Sequence, residues 1–429
     1  MVSETPIPVQ HLATLYEITR KLNSSLNIEE VMEYVMDRVI EVTGAERGFL
    51  VILDEATGNF RYPIARGIDQ QDLDKPKFQT SRTIVNHVAA TREPLLTDNA
   101  QTSFSNTESV VMMALRSILC VPIIVREEKF IGMVYVDNRM HTAQFDEQHL
   151  DLVMAFAGQA GIAIENARLY KIAVEKGRLQ RELEMARGIQ RALLPVDFQV
   201  LPGYEVAVDW DSANEVAGDF YDCLILEHGT AMGIVIADVS GKGAPAAIFM
   251  AVARSLIRGN AIASASPEDT LRQSNRLIIS DAGASGMFVT VYYAIFKTDG
   301  HVIGVNAGHN LPLLWRYNDG EVEWLPRGGR ALGWFDDLPV EPRHYQLLPG
   351  DVLIFYTDGL TEAENIYGEA YGEARLATTI QQYVDGKTAA EIKDMLLQDV
   401  NAFVGEAPPF DDRTIVVVRY VGEAGHEKP

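Results

Sequence analysis

Residues 233–243 read GIVIADVSGKG, an apolar run that stops at Asp238 and opens into a glycine-bracketed loop. The four apolar residues 233–236 predict a buried strand. A carboxylate at the end of such a strand cannot stay ionised in apolar surroundings without a partner, because desolvation raises its pKa or demands a cation. The chain supplies company elsewhere. DVLIFYTDGL (351–360) repeats the pattern, an apolar strand ending in Asp358 and Gly359. FDDRTIVVVRY (410–420) sets Asp411 and Asp412 before another apolar strand, and EVAGDFYD (215–222) carries Asp219. All of these aspartates are placed at strand edges.

Carboxylates gathered from several strand ends, with no Cys or His cluster beside them, suit a hard divalent cation such as magnesium or manganese rather than zinc. Two such ions about 3.5–4 Å apart form a clamp that activates water and steadies a phosphoryl group in transfer. One strand-terminal Asp-Gly is usually only a turn; the recurrence makes the pattern a candidate site.

Around these motifs, strand-like YEVAVDW, FYDCLIL, MGIVIADV, FVTVYYAIF, HVIGVNAG, LLWRY, HYQLL, DVLIFYT and TIVVVRY alternate with turns. PAAIFMAVARSLIRGN, PEDTLRQSNRLIIS and AAEIKDMLLQDVNAFV read as helices. Helices that arrive between runs of strands, rather than after each strand, argue against a doubly wound parallel sheet.

Seven motifs, EVAGDFYD, ADVSGKGAPAA, GMFVTVYYAIF, NAGHNLPLLW, ALGWF, YTDGLTEAEN and FDDRTIVVV, occur in one order between residues 190 and 421. In that order the chain resembles the bacterial SpoIIE/RsbU-like branch of the metal-dependent (PPM, type 2C) serine/threonine protein phosphatases. The resemblance implies an α/β/β/α sandwich of two antiparallel sheets between helical layers, and two divalent cations, manganese or magnesium. It implies Asp219, Asp238, Asp358 and Asp411 as metal-holding carboxylates that act through metal-activated water, with the backbone carbonyl of Val239 as a neighbouring ligand. Ala217 stands where many relatives have glycine, and Ser240 where eukaryotic relatives have a histidine assigned as general acid, so the source of the leaving-group proton stays open. His309 is read as structural, Lys242 as a loop surface residue and Arg413 as a solvated edge.

Residues 10–165 form a first unit. LATLYEITRKLNSSL and IEEVMEYVMDRVIEVTG have helical spacing, with Asn27 as N-cap and Gly44 as the stop. ERGFLVILDEATGNFRYPIARG predicts two strands turning at 57–59, SILCVPIIVREEKFIGMVYVDNR a hairpin turning at 126–129, and FDEQHLDLVMAFAGQAGIAIENARLY a long closing helix. Helices flanking an antiparallel sheet indicate an α+β domain. The order resembles a GAF domain, a module for sensing small ligands or partners and for dimerisation. His87, His141 and His149 share no ligand-like spacing, and Asn138, Arg139 and Phe145–Glu147 match a cyclic-nucleotide signature only faintly.

Residues 166–195 connect this unit to a phosphatase-like unit at 196–421. Ile162, Glu165, Leu169, Ile172, Lys176, Leu179, Leu183, Ala186, Gln190 and Leu193 follow steps of three and four, the seam of a coiled coil. The expectation is one helix of roughly 50 Å that pairs in a homodimer; a single amphipathic helix lying on the phosphatase unit is the alternative.

Composition sets bounds. The chain of 429 residues is too long for one ordinary core. Its net charge of −23 argues against non-specific binding of nucleic acid or anionic membrane. Cys120 and Cys223 are the only cysteines, which fits a reducing compartment. With no signal-like N-terminus and no apolar stretch near the ~20 residues of a membrane span, the expected location is cytoplasmic. The expected activity is hydrolysis of a phosphoserine or phosphothreonine monoester on a protein, by resemblance a phosphorylated anti-sigma-factor antagonist. A catalytically weak partner-binding scaffold and a small-molecule phosphodiesterase remain as alternatives.

Overall fold

The structure, a computed structural model, describes residues 27–55, 57–67, 79–97, 117–126, 129–139, 144–264 and 266–422. The predicted helix at 12–26 and His141 lie outside them. The chain divides into two units, Met1–Gly177 and Arg178–Pro429.

In the first unit, helix α1 (Ile28–Thr43) begins at Asn27, whose side chain accepts from Glu29 N, and stops at Gly44, whose N–H reaches Ile40 O. Strands β1 (Arg47–Leu53) and β2 (Phe60–Arg66), helix α2 (Gln79–Thr91), and strands β3 (Leu95–Thr97), β4 (Ser117–Val125) and β5 (Lys129–Asn138) follow. The sheet is antiparallel, ordered β2-β1-β5-β4-β3. Period-two alternation gives it two apolar faces. Leu50, Leu119, Val121, Val134 and Val136 meet α1 and the start of α3 (Glu147–Leu193), while Phe49, Val51, Cys120, Met133 and Tyr135 meet Ile84, Val85 and Val88 of α2. Neither α2 nor β3 was legible from sequence, and both are polar or short.

The second unit contains two five-stranded antiparallel sheets. One is ordered β13-β10-β9-β8-β7, from β7 (Phe220–Leu226), β8 (Ala231–Val239), β9 (Val289–Lys297), β10 (His301–Ala307) and β13 (Arg343–Gln346). The other is ordered β12-β11-β14-β15-β6, from β6 (Tyr204–Asp211), β11 (Leu313–Trp315), β12 (Val322–Trp324), β14 (Val352–Tyr356) and β15 (Arg413–Tyr420). Along β14 and β15, Leu353, Phe355, Val416 and Val418 join the core between the sheets. Their neighbours Val352, Ile354, Ile415 and Val417 face α6 (Glu373–Tyr383) and α7 (Ala389–Val404). Helices α4 (Ala244–Ala263) and α5 (Pro267–Ala282) pack on the first sheet. This is the predicted sandwich. The strand β12 is only three residues long, and α6 buries little beyond Leu376, Thr379 and Ile380, so its periodicity escapes a sequence reading.

One expectation needs correction. Helix α4 is 20 residues long and apolar enough, by length and composition, to cross a membrane. Its apolarity has another use, because Ala246, Phe249, Met250, Ala253, Ile257 and Ala261 are buried in the core over the sheet.

The first unit also buries an ion pair. Arg47 and Asp137 face each other across β1 and β5, with Nε to Oδ1 and Nη2 to Oδ2 both at 2.7 Å. Burial holds the Asp137 carboxyl above its ordinary range despite the guanidinium. Replacing Arg47 with Met leaves that carboxylate stranded, so urea unfolding of the full chain followed by far-UV circular dichroism should show a loss of about 3–5 kcal/mol in this unit. An acid whose folded pKa is raised makes folding less favourable as pH rises, so the loss should be larger at pH 8 than at pH 5. Adding Asp137→Leu should recover most of it; a loss below about 1 kcal/mol for the single variant would contradict this account.

Candidate active site

The two sheets end on the same side, and their ends bring the predicted carboxylates together. Asp219 directly precedes β7 and is fully buried; its Oδ2 accepts from Thr357 Oγ1 at 2.6 Å and Thr414 Oγ1 at 2.9 Å. Asp238, the last residue but one of strand β8, lies beside Asp219 and feels the charges of Asp358, Asp411 and Asp412. Asp358 opens a helical turn, Asp358–Thr361, directly after β14 and Thr357. Asp411 and Asp412 precede β15.

Electrostatics agrees with this crowding. Burial, followed by the charge of Asp238, holds the Asp219 carboxyl well above the usual range, with Asp412 adding to the effect. Burial and then Asp358 push Asp238 up to about 7. Burial raises Asp358, with Glu362 and Asp411 contributing, and burial also raises Asp412. The cluster therefore requires protons or a cation.

Two backbone approaches hold the loops together. A Cβ on Gly218 would stand 3.0 Å from Val239 O, the predicted carbonyl ligand, and one on Gly359 would stand 1.9 Å from Asp412 O. Only glycine permits the second contact, which fixes the Asp358 turn against the 411–412 loop. Asp412 has a different task from its neighbour: its Oδ1 accepts from Ala213 N at 2.9 Å and its Oδ2 from Gly218 N at 2.8 Å, so it grips the loop that carries Asp219.

The donor set fits a hard divalent ion, because it is all oxygen, anionic and short of countercharge. Among the described residues no three His, Cys, Asp or Glu groups are already disposed to cage an ion. The geometry shows what stands in the way. Asp219 and Asp238 crowd each other, and Lys242 Nζ sits 2.8 Å from Asp411 Oδ2 and donates to Phe410 O at 3.2 Å. Lys242 is an exposed loop residue, as expected from sequence, and it is also the cation paired with Asp411. Arg413 is no solvated edge: its Nη1 donates to Asn401 Oδ1 at 3.0 Å and its Nε is buried. It walls a cavity of about 300 Å³ beside Asp411, together with Asn401, Glu364 and Phe410.

His309 is buried, and burial pushes its pKa down to about 3, which leaves it neutral. Its Nδ1 lies 2.9 Å from Thr290 Oγ1, and that hydroxyl donates to Asp238 O at 3.3 Å, so the ring braces the end of β8. Ser240 ties the loop to Phe288, its N–H donating to Phe288 O at 2.9 Å and its Oγ accepting from Phe288 N at 3.0 Å. Sequence reasoning missed Thr357, Thr414 and the separate duty of Asp412. Their signal was adjacency, since each lies next to an aspartate already singled out or one residue from it.

Comparison with known proteins follows from this geometry. The family model described as Stage II sporulation protein E (SpoIIE) matches residues 228–421, and a GAF domain model matches residues 25–165. Protein IcfG of Synechocystis is 30% identical over 273 residues, 57% of this chain and 42% of that protein. Phosphoserine phosphatase RsbU of Bacillus subtilis is 26% identical over 244 residues, 56% of this chain and 70% of that protein. The chain thus spans well under half the length of the first relative. The SiaA-PP2C domain of Pseudomonas aeruginosa superposes with a TM-score of 0.51 at 24% identity, covering 58% of this chain and 99% of that one, and shows the same fold.

A cluster that lacks its cation should be strained. In EDTA at pH 8, Asp238→Asn is expected to raise the stability of the second unit in urea by on the order of 1–3 kcal/mol, because the amide removes a charge beside Asp219. Tryptophan fluorescence reports this unit alone, since Trp210, Trp315, Trp324 and Trp334 all lie in it. A destabilised variant would mean that the carboxylates are not in conflict.

Proposed function

The chain carries a GAF domain and a SpoIIE-type phosphatase domain, and from that premise we propose that it is a metal-dependent protein serine/threonine phosphatase of the cytoplasm. The reaction is hydrolysis of a phosphoserine or phosphothreonine monoester by water, without a covalent enzyme intermediate. The substrate class is a phosphorylated anti-sigma-factor antagonist. One observation carries the reading: carboxylates from separate strand ends are buried together with a single lysine against them. A silent scaffold has no physical reason to keep such charge out of water.

Asp219, Asp238, Asp358, Asp411 and the Val239 carbonyl are the groups that would hold two divalent cations, manganese or magnesium. When bound, such ions polarise a phosphoryl oxygen and acidify water. The chain's own part is to hold the carboxylates still. Thr357 and Thr414 orient Asp219 through its Oδ2, Asp412 keeps the Asp219 loop in place, and Thr290 holds the Asp238 backbone. Lys242, given up by Asp411, is left to face a phosphoryl oxygen. The cavity beside Asp411 gives the substrate protein a place to seat a side chain next to the phosphorylated residue.

We divide the chain into a GAF sensor at 10–165, a connector at 166–195 and a catalytic domain at 196–421, with control by the GAF domain through the connector. Leu169, Ile172 and Leu179 of the seam are 55%, 54% and 48% exposed in the single chain, which supports pairing of two connectors in a homodimer.

Two outcomes test this. Purified chain should release phosphate from a phosphoserine protein in manganese and not in EDTA, with a cyclic dinucleotide left intact. Asp358→Asn should lower turnover by at least about 100-fold, beyond the usual cost of losing an outer-shell partner; near wild-type turnover at saturating manganese removes the assignment. Sedimentation of the full chain at tens of micromolar, where modest coiled coils associate, should show two copies, and a monomer removes the dimer.

A further inference from the structure

The motif ALGWF (331–335) contributes no carboxylate to the cluster, yet its backbone lies against the strand beside Asp238. Leu332 N donates to Val289 O at 2.8 Å and Val289 N to Leu332 O at 2.9 Å. Val289 and Thr290 of β9 pair in turn with Val239 and Asp238 of β8. Leu332 is buried and Gly333 takes a left-handed φ of 94°; the next two residues, Trp334 and Phe335, are 63% and 42% exposed.

These rings belong to a stack. Trp334 lies 4.8 Å from Phe288, with 17° between the planes, and 5.9 Å from Phe335, with 20°. Arg330 covers Phe335, its guanidinium 4.8 Å from the ring centre. Phe288 is the residue whose backbone bonds twice to Ser240, two positions after Asp238, so the stack starts at the rim of the cluster. It is braced from behind by Asn275 of α5, which is buried. Its Nδ2 donates to Phe335 O and its Oδ1 accepts from Gly333 N, both at 2.8 Å. The backbone is thus held on either side of Trp334 while the indole stands in water.

A single exposed apolar side chain needs no explanation. Rings stacked and braced in one geometry differ, because rigid aromatics lose little entropy on binding and tryptophan is enriched where binding energy concentrates. We propose that the stack of Phe288, Trp334 and Phe335 is a docking shelf for the phosphoprotein substrate, with Trp334 a specificity-determining residue that takes an apolar side chain flanking the phosphorylated one. This rests on the reading of the aspartate cluster as the site of hydrolysis. Position selects the occupant: a phosphorylated residue seated at the cluster carries its neighbours across the surface that borders it, and Ser240 ties the shelf to that border. An aliphatic or aromatic neighbour buries its area against the rings, whereas a basic one meets the charge of Arg330, which already covers Phe335. The cavity beside Asp411 borders the cluster at another loop, so shelf and cavity hold different parts of the substrate.

The test measures kcat/KM of the full chain in manganese on two phosphoserine peptides, one with leucines flanking the phosphoserine and one with serines in their place. The third substrate is p-nitrophenyl phosphate, which is too small to reach the shelf. Wild type should favour the leucine peptide by about 10-fold or more, the scale of a binding hot spot. Trp334→Ala should shrink that preference to about twofold or less, chiefly through KM, and should cost the leucine peptide far more than p-nitrophenyl phosphate. Trp334→Phe, which keeps a ring on Phe288, should retain most of the preference, and Tyr383→Ala, at another exposed ring on α6, should behave as wild type. Should Trp334→Ala fail to fold, Phe335→Ala serves instead, with the preference falling about threefold. Cleavage of neither peptide, no preference in the wild type, or a preference kept in the alanine variant overturns the shelf, while turnover of p-nitrophenyl phosphate preserves the phosphatase reading. A preference kept while self-association is lost would overturn it as well, assigning the stack to a contact between copies of this chain. No turnover of any of the three by the wild type would remove both readings.

Discussion

Two carboxylates that share one buried place impose the constraint on which the catalytic unit depends. Asp219 and Asp238 lie where burial opposes their charge, and the charge of Asp238 raises the affinity of Asp219 for a proton as that of Asp358 raises the affinity of Asp238. In a protein interior such a pair persists only if protons or cations answer it. The surrounding structure is arranged as if to keep the pair in place regardless of that cost. Threonine hydroxyls from two strands converge on one oxygen of Asp219, and the backbone of Asp238 is tied to Thr290.

The sandwich is well suited to this purpose. Antiparallel sheets that pack face to face bring their strand ends level, so that loops from distant parts of the chain meet without long excursions. Thr414 and Asp219 are 195 residues apart in sequence, yet they share a hydrogen bond. Gly359 lets the Asp358 turn close on the carbonyl of Asp412, and Asp412 in turn reaches the loop before β7.

Much of this was legible in the sequence. Apolar runs ending in Asp-Gly or preceded by Asp-Asp mark strand ends, and alternation along DVLIFYT and TIVVVRY marks two buried faces. The carboxylates could be listed because each stands beside such a run. What could not be read is which side chains meet across long separations. Lys242 was legible as an exposed loop residue, but a glycine-rich loop says nothing about Asp411, its partner 169 positions on. Gln190 fitted a heptad step although its side-chain amide pairs with Ala217, because periodicity records the face of a helix and not what covers it. Helix α6 and strand β12 were missed for a simpler reason, since their buried apolar residues are too few to form a pattern.

The claim at the centre of this account is that the aspartate cluster holds divalent metal. Anomalous diffraction at the manganese edge from crystals of the full chain grown in manganese measures this directly. The account predicts peaks among the carboxylates of Asp219, Asp238, Asp358 and Asp411, with Lys242 moved away from Asp411. An unchanged Lys242–Asp411 pair with no peak in the cluster would contradict it.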